Sequence, residues 1–174
     1  MFPSAAALVF LSFAASISAP GQDTPRKHPR WLVEFERSRE LPQRVKAVSA
    51  RMSKIRKIET DQFGNINDNN YLWVYGNREN LIPVLIECLK LTKPTNFPCS
   101  MPIPPNFTIG DLSLYLLCDW GYIDWDKTIV NLVGQDNIKA FGYYAYFDWV
   151  RVPGNRYILY KTIKEELKEK LKTQ

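Results

Sequence analysis

The chain has 174 residues, a formal net charge of +5, and 45% hydrophobic residues that include five Trp, nine Tyr and nine Phe. That is enough large apolar surface for one domain with its own core and no obligatory crosslinks. His28 is the only histidine, and no CxxC, HxxxH, HExxH, GxGxxG or GxxxxGK[ST] spacing occurs, which argues against zinc, triad hydrolysis and nucleotide loops and leaves no cofactor expected.

Ala5 to Ile17 is an uncharged run ending in the small residues Ser18 and Ala19. Its length suits the h-region of a secretory signal and falls short of the roughly 20 residues needed to span a bilayer. Residues 1–19 are therefore read as a signal peptide, with cleavage between Ile17 and Gln22, and the mature protein as secreted or periplasmic. Pro20 to Arg30 reads as a solvated linker, and residues 31–174 as a single helical domain.

Trp31 to Arg39 suits a short helix, and Pro42 suits the first turn of a longer one reaching about Ile58. Leu41, Val45, Val48, Met52 and Ile55 fall at helical spacing and make one apolar stripe. Arg44, Lys46, Arg51, Lys54, Arg56 and Lys57 occupy the other faces with no acid among them. Arg44, Arg51, Lys54 and Lys57 are the candidates for an anion-binding face, the alternative being a solvated surface. The moderate positive charge favours a protein or envelope component as partner, with weak contact to an anionic surface, and no nucleic acid is expected.

Thr60 to Asn70 is rich in Asn, Asp and Gly and forbids regular structure. Its alternating asparagines lack the closing glutamate of a calcium loop, so no metal is assigned. Tyr71 to Tyr75 reads as an extended segment or packed connector. Asn77 or Asn80 caps a helix through Leu91, with Pro83 in its first turn. Pro94 to Pro105, with five prolines, reads as a long irregular arm. Thr108 and Asp111 form a capping pattern for a helix to Trp120, and Asp124 caps another to Val133. Asp136 or Asn137 opens an aromatic helix to Val150, and Asn155 caps the last one. The sum is an all-α fold, an irregular domain of six or seven helices with a long Pro-rich loop.

Two residue sets bear on chemistry. Cys88, Cys99 and Cys118 form an odd set. In an oxidising compartment this means one disulfide, Cys88–Cys99 or Cys99–Cys118, plus one thiol, or else three buried thiols. Asp119, Trp120, Asp124, Trp125 and Asp126 interleave acids with indoles, and Tyr143 to Trp149 forms a second aromatic and acidic run. Such a pattern can hold sugars or supply two glycosidase carboxylates, or it can simply cap helices and fill a core. Asn106-Phe107-Thr108 is a glycosylation sequon in a eukaryotic secretory pathway.

Asn80 to Asp119, reading NLIPVLIECLKLTKPTNF and then TIGDLSLYLLCD, resembles one repeat of a HEAT-type helical protein. Leu81, Pro83, Leu85, Ile86 and Leu89 match the first helix of such a repeat, and Gly110, Asp111, Leu114 and Leu117 the second. The connection from Thr92 to Phe107 is longer than the family's turn, and no second copy follows. The chain is also similar to small exported bacterial proteins of unassigned function. The resemblance implies a binding surface rather than a reaction. The expectation is an exported, non-enzymatic helical interaction domain. The alternatives are a carbohydrate-binding or glycosidase-like protein and an inhibitor or immunity-type protein.

Overall fold

A computed structural model describes residues 39–58, 68–98 and 106–172. The expected signal peptide, the linker, all but the last residue of the Trp31 to Arg39 helix, and Cys99 lie outside the described residues.

Helix α1 (Leu41–Met52) has Pro42 in its first turn, where the missing N–H costs no hydrogen bond. Its stripe is buried as the spacing predicts: Val48 and Met52 are sealed in the core. The helix stops at Met52, six residues short of the expected end. Ile55 and Ile58 still reach the core, but from an irregular segment whose start is tied by the Asn96 N–H donating to the Ser53 carbonyl, 3.0 Å.

Tyr71 to Tyr75, expected to be an extended segment or a packed connector, belongs instead to helix α2 (Asn69–Gly76). The cap explains the difference. Both Asn70 and Tyr71 N–H groups donate to one Asp68 carboxylate oxygen, at 2.9 and 3.0 Å, and Tyr71 and Val74 then bury on one side, three residues apart. Helix α3 (Arg78–Cys88) starts after Asn77, one of the two expected caps, though without a capping bond from its side chain. It ends three residues short of Leu91, and Pro83 sits in its interior rather than its first turn. Leu81 to Ile86 and Cys88 are all buried.

The Pro-rich arm is framed by two short antiparallel strands, β1 (Pro94–Pro98) and β2 (Asn106–Thr108), paired at Pro94–Thr108 and Pro98–Asn106. Proline is tolerated there because each sits at the end of an edge strand. The Thr95 hydroxyl donates to the Phe107 carbonyl at 2.8 Å, and Phe97 and Phe107 pack their rings 5.4 Å apart.

Helix α4 (Ile109–Asp119) opens with the predicted capping box. Thr108 accepts from the Asp111 N–H, and the Asp111 carboxylate accepts from the Thr108 N–H at 3.0 Å. Asp124 caps α5 (Trp125–Val133) as predicted, accepting from the Lys127 N–H at 3.1 Å. The expected aromatic helix is two helices, α6 (Gln135–Phe141) and α7 (Tyr143–Arg151). Between them Gly142 takes φ 58° and ψ −138°, a conformation open essentially to glycine alone. Helix α8 (Asn155–Lys172) closes the chain.

The described residues thus hold eight helices, more than the six or seven expected, because α2 is helical and Gly142 splits one helix into two. The all-α class stands, with one small two-stranded ribbon. Helix α3 packs on α1, α4 and α8, while α8 also reaches α5 and α7, so one core runs through both halves of the sequence. Among the described residues no helix is long and apolar enough to cross a membrane.

Candidate functional site

The basic segment divides into two groups. Arg44 and Arg51 lie seven residues apart on one stripe of α1 and turn toward α2 and α3. Arg44 is half-buried and donates to the Asn80 carbonyl at 3.1 Å, next to the Glu79 carbonyl that Pro83 deprives of its helical partner. The Arg51 guanidinium lies 4.4 Å from the centre of the Trp73 ring. Lys46, Lys54, Arg56 and Lys57 are exposed, and none of the four has an ion-pair partner among the described residues.

Lys54 and Arg56 flank Ile55, which is fully buried, so their own side chains leave the core on the opposite side. They meet Asp68, Asn69 and Asn70 at the start of α2 and Asn96 from β1 around an open polar recess of about 350 Å³. Asp68 is buried there, and its carboxylate is taken up by backbone. One oxygen accepts from Asn70 and Tyr71, and the other accepts the Arg56 N–H at 2.8 Å. The sequence alone did not point to this recess, since Asn96 arrives from 40 residues after Arg56 and only the Ser53–Asn96 contact places it. The basic run and the Asn-rich segment were the available signals.

The two indoles of the Asp/Trp set pack against different helices. Trp120 is half-buried against α2, its ring 6.4 Å from Tyr75 in an edge arrangement. Trp125 is half-buried against α7, 5.1 Å from Tyr143 and 5.4 Å from Tyr146. Asp124 and Asp126 are exposed at the start of α5, where Asp124 serves as its cap. Asp119 ends α4; burial raises its carboxyl above the ordinary value, and it stands close enough to help raise the Tyr71 hydroxyl, which burial already pushes up. Phe147 and Tyr146 from the second aromatic run are buried, with Phe107 against Phe147 at 5.8 Å.

The densest polar centre is internal. Asp111 is buried and receives the Arg156 guanidinium at 2.9 Å, the Tyr146 hydroxyl at 3.1 Å and the Thr108 hydroxyl at 2.6 Å. Arg156 also donates to the Leu89 carbonyl at 3.2 Å. The Thr108 contact belongs to the cap of α4, while those of Tyr146 and Arg156 tie α4 to α7, to α8 and to the end of α3, so this centre fastens the fold. A second group joins α3 to α8: the Tyr160 hydroxyl donates to Glu87 at 2.8 Å, and Lys90 and Lys164 pair with the same carboxylate. Burial opposes the Glu87 charge, but the hydrogen bonds from Lys90 and Tyr160 and the two ammonium charges outweigh it and lower its pKa.

Cys88 and Cys118 carry free thiols, and burial pushes each up to about 12. Their expected partner Cys99 is outside the described residues. Asn106 and Thr108 of the sequon form β2, with the Thr108 hydroxyl committed to the cap of α4. Among the described residues no group of three or more His, Cys, Asp or Glu side chains is arranged to hold a metal ion. The chain matches no family model, no curated protein and no solved structure.

Proposed function

We propose that this protein is an exported, non-enzymatic helical interaction domain that docks an acidic partner, a protein or an envelope component, through the basic side formed by α1 and the segment 53–58 that follows it. The observation that carries this reading is the exposure of Lys54, Arg56 and Lys57 without acidic partners among the described residues, beside an apolar stripe whose Val48, Met52 and Ile55 are buried in the core and whose Leu41 and Val45 pack against it. A surface that leaves several cations unpaired on one side presents a field for anionic ligands. The resemblance of Asn80 to Asp119 to a HEAT-type hairpin supports a binding role in the same direction.

The test is binding to heparin and to vesicles containing anionic lipid, measured across a salt series. Lys54→Gln, Arg56→Gln and Lys57→Gln together should weaken binding at least tenfold and flatten its salt dependence, leaving the thermal melt unchanged. Arg44 is kept, because its bond to Asn80 is part of the fold. Wild-type protein with no salt-sensitive binding to either probe would overturn the reading.

A further inference from the structure

We propose that the recess between residues 54–56, the start of α2 and β1 is a binding site for a phosphorylated sugar or polyol, held by Lys54, Arg56, Asn69, Asn70 and Asn96. The inference deepens the acidic-partner reading and rests on it for the sign of the ligand's charge.

The recess, at about 350 Å³, sits at the lower end of the roughly 300–1,000 Å³ range of small-ligand sites. Such sites are usually apolar with a few polar groups; this one is lined by charged and amide side chains only. Its occupant must therefore be polar over most of its surface. The two kinds of side chain then divide the ligand. Lys54 and Arg56 supply a point charge and a planar fork, which suit a phosphate group. Three amides supply both donors and acceptors; a bare anion could use only the donors, whereas neighbouring hydroxyls, which donate as well as accept, use both. None of these five side chains has a hydrogen-bond or ion partner among the described residues, so none must be released before a ligand binds. The one acid in the lining is already engaged. Asp68 spends both oxygens on the N–H groups of Arg56, Asn70 and Tyr71, and in doing so it fixes the backbone carrying three of the five proposed ligand groups. The N–H groups of Asn70, Tyr71 and Leu72 at the start of α2 are taken by Asp68, and the site depends on side chains instead.

Calorimetric titration of the full chain with glucose 1-phosphate, inorganic phosphate and glucose tests this division. Glucose 1-phosphate should bind at least tenfold more tightly than either of the others. Lys54→Gln with Arg56→Gln should abolish that binding, and Asn96→Ala should reduce it to the level of inorganic phosphate while leaving heparin binding intact. A phosphodiester-linked polyol polymer should compete for the same site; tighter binding per phosphate than the monomer identifies a polymer as the source, and equal binding a free metabolite. Equal affinity for inorganic phosphate and glucose 1-phosphate would overturn the proposal, as would variants that melt normally and bind unchanged. Salt-sensitive heparin binding with no glucose 1-phosphate binding overturns the recess and leaves the acidic-partner reading in place, whereas loss of both overturns both.

Discussion

Gly110 sits where α4 passes closest to the end of α3. A Cβ there would lie 2.5 Å from the Leu89 carbonyl oxygen and 2.9 Å from that of Leu91, and would also strike the Arg156 guanidinium. Gly110→Ala should therefore destabilise the protein by about 1–3 kcal/mol in urea unfolding, since two of the three obstacles are backbone. Asp111→Ala should cost more, about 3–5 kcal/mol, because it strands a largely buried Arg156 along with the Tyr146 hydroxyl. Glu87 governs part of the acid limb. Its folded pKa lies below the ordinary 4.5, so its contribution is complete above about that pH and is lost as pH falls through the lower, folded value. Glu87→Gln should lower stability at neutral pH and make the decline below pH 4.5 shallower, measured by chemical unfolding at a series of pH values. An unchanged acid limb would show that the ion group with Lys90 and Lys164 contributes nothing.

Two elements expose the difference between a pattern and its realisation. The stripe on α1 was legible because helical spacing alone selects Val48 and Met52, and both are sealed in the core. Met52→Asp places an unpaired carboxylate in that core and should unfold the domain or lower its melting temperature by more than 10 °C, a desolvation cost of several kcal/mol. A melt within 2 °C of wild type would show that the stripe is exposed in solution. The split between α6 and α7 was not legible. Asp136 to Val150 carries a continuous helical pattern, and glycine within such a pattern is often tolerated. Gly142 breaks it by adopting φ 58° and ψ −138°, and Gly142→Ala should cost about 1–3 kcal/mol for that strain, read as a shift in the urea midpoint.

At the scale of the molecule, α8 touches α3, α5 and α7, and its Arg156, Tyr160 and Lys164 side chains reach carboxylates on α3 and α4. The ends of the chain's described part are thus tied through shared neighbours, and no subset of helices has a core of its own. Unfolding should be one cooperative transition, with tryptophan fluorescence and far-ultraviolet circular dichroism giving coincident curves; separated midpoints would show two independent units.

The sequence by itself determined what depends on near neighbours. Thr108 with Asp111, and Asp124 with the N–H of Lys127, are caps written within four residues, and the apolar spacing of α1 is equally local. The all-α class follows from such signals repeated along the chain. The helical state of Tyr71 to Tyr75 was missed because aromatic and β-branched residues suit strand and helix alike, and the cap at Asp68 with burial against the core decides between them. Separation in the sequence hid the rest. Trp120 and Trp125 are five residues apart yet pack against different helices, because Gly121, at φ 74°, follows the end of α4 and a separate helix starts at Trp125. Lys54, Arg56 and Asn96 come together across 40 residues or more because the Ser53 carbonyl accepts from the Asn96 N–H and β1 is held by β2. A recess of that kind is a property of packing, since the apolar residues that fix the elements in place are different residues from the polar ones that face the opening.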